Sequence, residues 1–211
     1  MTTLYFRAGT CALAPHVALE WIGAPYVAKP NVAKPIAAAS AELLALNPAG
    51  AVPVLQEDDG WILTQAGAIL HYLARKHPEA GLGGGAGLRD QAELDRWSSF
   101  LTGDLHPAFY PVFMPYRYTA DPGEEAKAKV AAAGIALVKK KLDLIEAHLS
   151  GRRWFLEDRS IIDAYALPMI RWARAKVQGG IAGWPAIARL HDRLAEDAAV
   201  QRVLEVHRSA A

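Results

Sequence analysis

The chain has 211 residues, 52% hydrophobic and 21% charged, with 23 Lys and Arg against 22 Asp and Glu for a net charge of +1. That is ample apolar material for one large or two small domains, and it leaves no electrostatic case for nucleic acid or an anionic membrane surface. No apolar run approaches the ~20 residues that span a bilayer, no secretory leader pattern opens the chain, and one cysteine forms neither an internal disulfide nor a multi-thiolate zinc site; a reducing, cytoplasmic setting is expected.

Leu4-Tyr5-Phe6 reads as a short strand, and residues 12–22 as a helix ended by Gly23. Residues 25–32 suit a second strand, and the Ala- and Leu-rich stretch 36–46 a short helix closed by Asn47-Pro48-Ala49-Gly50. Residues 52–56 and 61–64 flank the turn signal Glu57-Asp58-Asp59-Gly60, which predicts a β-hairpin. Ala66, Ile69, Leu70 and Leu73 fall at helical spacing, so 65–76 is a helix with one buried face. The order β-α-β-α-β-β-α argues an α/β domain over residues 1–77.

Residues 78–88 are a Gly-rich linker by composition. Beyond them no alternating strand pattern appears. Residues 89–106 are helical in type. Ile135, Val138, Leu142, Ile145 and Leu149 step by three and four, which predicts one long amphipathic helix over 124–149. Ile162, Tyr165, Ala166, Met169 and Trp172 repeat the pattern, and Trp184-Pro185 opens a further helix. Residues 89–211 therefore read as an all-α domain.

Five features bear on chemistry. Cys11 lies between a strand and a helix, where free N–H groups and the helix dipole favour a thiolate; its bland reading is a small buried hydrophobe. Val52-Pro53 opens a strand with a residue that cannot donate to the ladder, so it is either a ligand-facing backbone or an ordinary edge proline. Gln65-Ala66 starts the third helix, a natural carboxylate site or ordinary helix-start chemistry. His106 is a general base, a thiol partner or a structural histidine. Ser160 to Asp163 fits a capping box and reads as structural. Trp97, Tyr110, Phe113, Tyr116 and Tyr118 are core or pocket aromatics, and His16 sits off the helical face of Cys11 and reads as structural.

Taken together these stretches resemble the bacterial beta-class glutathione S-transferases over the whole chain. The likeness rests on Gly9-Thr10-Cys11-Ala12-Leu13-Ala14-Pro15-His16, on Asn47-Pro48-Ala49-Gly50-Ala51-Val52-Pro53, on Asp58-Asp59-Gly60 followed by Leu63-Thr64, on Leu105-His106, and on Ser160 to Asp163 followed by Ala164-Tyr165. The resemblance implies a thioredoxin-like N-terminal domain, an all-α C-terminal domain holding the electrophile pocket, and a homodimer. It implies glutathione as co-substrate, with no metal. Cys11 would lie beside the glutathione sulfur, and Val52, before a cis Pro53, would pair with the cysteinyl backbone. Gln65 and Ala66 would hold the γ-glutamyl end, Lys34 would meet the glycine carboxylate, and His106 would approach the thiol across the cleft. Ser99 stands at a further position of the glutathione site.

Some positions depart from the family pattern. Gln65 replaces a common Glu and loses the charge that pairs with the γ-glutamyl ammonium. Ala66 and Ala12 each lack a hydroxyl that relatives offer, Ser99 replaces an Asn, and Pro35 follows Lys34 where a second basic residue is common. The activity implied is transfer of the glutathione thiolate to a small hydrophobic electrophile. The alternatives are a glutathione-dependent thiol-disulfide oxidoreductase using Cys11, and a non-catalytic binding protein on the same fold.

Overall fold

A computed structural model describes residues 1–31 and 39–210 of the chain. β1 (Thr2–Phe6), β2 (Tyr26–Pro30), β3 (Val54–Gln56) and β4 (Ile62–Thr64) form one sheet in the order β2-β1-β3-β4. β1 runs parallel to β2 and antiparallel to β3, with Leu4 opposite both Ala28 and Leu55. The period of two along β1 divides its side chains between two layers. Leu4 joins Leu55 in the main core, while Tyr5 packs with Val54 and Leu43 on the other face.

α1 (Leu13–Ile22) and α3 (Ala66–Lys76) cover the core face, and α2 (Ala41–Leu46) supplies Leu43 to the other. Gly23 ends α1 in the left-handed conformation with its N–H on the Leu19 carbonyl, the usual glycine stop. Ser40 caps α2 by accepting from the Leu43 N–H. Of the helix predicted over 36–46, residues 36–38 lie outside the described residues, as does residue 32 of the second strand.

The second half is helical. α4 (Leu88–Phe100) passes through a π-turn at Leu101–Leu105 into two short helices, α5 (His106–Ala108) and α6 (Tyr110–Phe113). α7 (Glu124–Leu149) spans the length that the three–four spacing predicts, and buries Val138, Leu142, Ile145 and Leu149. α8 (Ile161–Lys176) is the centre of the molecule, buried continuously from Ile161 to Ile170. α9 (Pro185–Glu196) and α10 (Ala198–Ser209) complete the chain. Gly134 lets α6 approach α7, because a Cβ there would stand 2.9 Å from Val112 and 3.0 Å from Pro111.

The capping box at the start of α8 is present in full. Ser160 Oγ accepts from the Ile162 N–H, and the Asp163 carboxylate accepts from the Ser160 and Phe155 N–H groups. Asp163 is fully buried, and desolvation pushes its carboxyl up to about 6 against the pull of those donors.

One apolar core runs from Leu4 to Val203 through both halves. Leu82, inside the linker, is buried, and its carbonyl accepts from the Ile161 N–H at 3.0 Å. Trp21 Nε1 reaches Asp197 and Trp172 Nε1 reaches the Gly9 carbonyl, so α8 and α10 hold the first half directly.

Candidate active site

A cleft of about 550 Å³ opens where the sheet half meets the π-turn, α5, α6 and α8. Cys11, Val52, Pro53, Gln65 and Ala66 line it from one side, and Thr102, His106, Tyr110 and Tyr165 from the other. Six of the residues that the resemblance assigns to the site, and Tyr110 besides, therefore share one cavity. Lys34 lies outside the described residues. Ser99 is exposed on α4 and does not line this cleft; Thr102, one turn further on, does. Among the described lining residues none carries a side-chain formal charge at neutral pH.

The Val52–Pro53 peptide bond is cis. The Val52 carbonyl faces the Cys11 thiol, with Sγ 3.9 Å away. Its N–H has no acceptor among the described residues, which leaves a backbone donor unpaired at a residue that lines the cleft.

Gln65 immediately precedes α3 at φ 72° and ψ 116°, a left-handed backbone that non-glycine residues rarely adopt. Its side chain makes no cap, so the first N–H groups of this eleven-residue helix remain free toward the cleft. The helix can approach the opposite wall this closely because Gly67 has no Cβ, which would stand 2.8 Å from Thr102 Cγ2.

Cys11 lies half-buried in the turn that precedes α1. α1 begins at Leu13, and the turn's N–H groups are already taken. Ala12 N–H binds Thr10 Oγ1, Leu13 N–H binds the Thr10 carbonyl, and Ala14 N–H binds the Cys11 carbonyl. The Cys11 N–H is the backbone donor left to favour the anion at sulfur. Burial dominates and pushes the Cys11 thiol up to about 12, so it is protonated at neutral pH.

His106 Nδ1 lies 3.1 Å from the Tyr165 hydroxyl, and its ring centroid is 5.2 Å from those of Tyr110 and Trp172. Burial lowers its pKa to about 4, so the imidazole is neutral near pH 7. Burial also holds the Tyr165 phenol well above its ordinary range.

Phe113 stacks 5.8 Å from Phe109 and packs edge-on to Trp172 at 5.3 Å, an aromatic cluster that adjoins His106 through Trp172 and does not itself line the cleft. Trp97 is not part of it: it is buried against His148 and Phe155, far along α4. His16 is structural as expected, buried and bonded to His207 Nε2 at 3.1 Å. The sequence did not mark Thr102, and it offered Tyr165 only as a core position of α8. Ser98, Thr102 and His106 step by four, which places them on one face, and that spacing was the available signal for Thr102.

Residues 1–75 match the model of the glutathione S-transferase N-terminal domain, and residues 105–198 that of the C-terminal domain. The chain is 36% identical over 209 residues to glutathione S-transferase GST-4.5 of Xanthomonas campestris pv. campestris, covering 96% of this chain and 97% of the relative. A solved glutathione S-transferase from Xylella fastidiosa superposes with a TM-score of 0.88 at 32% identity, covering 99% of each chain. A sphingomonad glutathione S-transferase solved in complex with glutathione gives a TM-score of 0.81 at 30% identity, covering 98% of each.

Proposed function

The chain belongs to the glutathione S-transferase family, and we propose from that premise that it binds glutathione along residues 1–77 and transfers its thiolate to a small hydrophobic electrophile. The observation that carries the proposal is the shared cleft. The open Val52 N–H, the cis Pro53 and the uncapped start of α3 meet His106, Tyr110 and Tyr165 across one cavity.

Glutathione is a peptide with two carboxylates, one ammonium and one thiol. The Val52 backbone suits the cysteinyl peptide unit through strand-like pairing. The free N–H groups of Ala66 and Gly67 suit the γ-glutamyl carboxylate, where the helix dipole adds to the hydrogen bonds. Gln65 offers an amide carbonyl to the γ-glutamyl ammonium. The glycine carboxylate is assigned to Lys34 on the family resemblance alone.

Catalysis requires a larger thiolate fraction at neutral pH. A protonated Cys11 does not carry out that step, so its role is packing beside the glutathione sulfur and donating toward it. His106, across the cleft, is the group that favours the anion. Tyr110 at the cleft and the exposed Phe113 beyond it suit an apolar electrophile. The thiol-disulfide reading needs a reactive Cys11 thiolate, and the burial of that sulfur favours conjugation over it.

We also propose a two-fold homodimer in the cytoplasm. Trp61 is 46% exposed and packs 5.0 Å from Tyr72 on an open, largely apolar ledge with Leu63, a face suited to burial against a second copy. No described helix is long and apolar enough to cross a membrane.

Titration calorimetry with glutathione, followed by conjugation to a chlorinated nitroaromatic, tests the reading. Binding in the micromolar to millimolar range with turnover supports it. No binding at millimolar glutathione overturns it in favour of a non-catalytic binding protein.

A further inference from the structure

His106 and Tyr165 come from different helices, α5 and α8, and meet by one polar contact of 3.1 Å at the wall of the cleft. A neutral imidazole has two tautomers, and the partner of one nitrogen decides which is present. Tyr165 is only 3% exposed, and among the described residues its hydroxyl has no partner other than His106 Nδ1. Were Nδ1–H the donor, the buried phenol proton would have no acceptor. With the phenol as donor, both groups are satisfied. The relative strengths agree, since a phenol donates better than a neutral imidazole N–H and an imidazole nitrogen accepts better than a phenol oxygen. The far nitrogen, Nε2, has no protein partner and is not among the buried unpaired atoms, so it is open to the cleft.

We propose that Tyr165 is a positioning residue that donates to His106 Nδ1 and thereby holds His106 as the Nε2–H tautomer, with that N–H available in the cleft to the thiolate of glutathione. This rests on the transferase reading above. His106 then acts as an electrically neutral hydrogen-bond donor to an anion rather than as a base. Tyr110 from α6, Tyr165 and Trp172 from α8, and Cys11 on the opposite wall surround the cleft end of the ring. Among the described residues no charged side chain bonds to it. Burial supports the assignment, because it keeps the imidazole uncharged and the phenol protonated through the working pH range.

Long-range proton–nitrogen NMR on the free, nitrogen-15-labelled protein at pH 7 reads the tautomer directly. The His106 signals are identified by their loss in His106→Gln. A protonated Nε2 and a bare Nδ1 are expected in the wild type, with Tyr165→Phe shifting the population toward Nδ1–H. A protonated Nδ1 in the wild type overturns the proposal without recourse to any variant.

Function gives the second reading. In Tyr165→Phe the thiol pKa of bound glutathione, followed by thiolate absorbance, should rise by about one unit, and kcat/KM near pH 6.5 should fall about tenfold. The two pH profiles should converge once the thiol is ionised in both. An unchanged thiol pKa overturns the proposal. His106→Gln, which keeps an amide donor near the Nε2 position, should retain more activity than His106→Ala. Failure of the wild type to bind glutathione while showing the expected tautomer would count against the transferase reading and leave the Tyr165–His106 assignment standing.

Discussion

Trp172 Nε1 donates to the Gly9 carbonyl at 2.8 Å, a bond from α8 to the loop that presents Cys11. The same indole packs on His106, Phe109 and Phe113, so one side chain ties the Cys11 loop to this aromatic cluster. Trp172→Phe removes the bond and keeps an aromatic ring. Because the contact is exposed, the expected stability loss is small, ~0.5–1 kcal/mol, with a larger effect on KM for glutathione than on kcat. Thermal melting beside steady-state kinetics checks it, and an unchanged KM would show that Gly9 is held by other contacts.

Burial of Cys11 predicts its reactivity. With the thiol pushed up to about 12, the thiolate fraction at pH 7 is minute and grows about tenfold for each pH unit through the alkaline range. Iodoacetamide should therefore label the free protein slowly at pH 7 and progressively faster toward pH 10. Rapid labelling at neutral pH would restore the activated-thiolate reading of the strand-to-helix turn.

The His16–His207 pair predicts loss of stability in acid. Burial lowers His16 to about 4 and His207 to about 3, both below the ordinary 6.5. Glu20 partly offsets the effect at His16, while His16 and Arg171 add to it at His207. Near and above pH 7 both folded and unfolded forms hold these rings neutral. As pH falls from 6.5 toward 4 the unfolded chain takes up protons that the folded one refuses. Stability then falls by up to about 1.4 kcal/mol per pH unit for each histidine. Asp163, raised to about 6, acts with the opposite sign, since its contribution is lost as pH rises from about 4 to 6. The comparison of wild type with His207→Gln isolates the pair: urea midpoints at pH 7 and pH 5 should differ less in the variant.

Gln65 separates binding from stability. Gln65→Glu restores a charge opposite the γ-glutamyl ammonium and should tighten glutathione binding about tenfold. Gln65→Gly removes the side chain at a backbone with φ 72° and should raise stability by about 1 kcal/mol while weakening binding. Calorimetry and urea unfolding on both variants test this. A Gly variant no more stable than wild type would show that the conformation carries no strain.

Ser160→Ala removes an acceptor for the Ile162 N–H and a hydroxyl that donates to the buried Asp163. A loss of ~1–2 kcal/mol in stability is expected, with kcat/KM unchanged below the melting transition. Reduced activity in a fully folded variant would assign this cap a part in the chemistry.

The elements whose lengths follow from periodicity were legible before any coordinates. α7 over Glu124–Leu149, the hairpin at Glu57–Gly60 and the Gly23 stop of α1 each depend on residues close in sequence. So does the capping box at Ser160, which is local by construction. Apolar spacing and turn chemistry act over a few residues, and a sequence displays them directly. The grouping of Cys11, Val52, Gln65 and His106 came from the family likeness, and the cleft brings them together.

Tertiary structure decided the rest. Whether Cys11 is a thiolate depends on how deeply its sulfur is buried and on whether Thr10 has already taken the turn's donors, neither of which a motif shows. Tyr165 reads in the sequence as a core position of α8, and it is one. Its hydroxyl becomes significant only because α5 places His106 Nδ1 beside it, 59 residues away along the chain. The amino-acid sequence by itself determined the helices, strands, caps and the list of reactive groups. Their protonation states and partners were settled by desolvation and long-range packing, which exist only once distant segments share one interior.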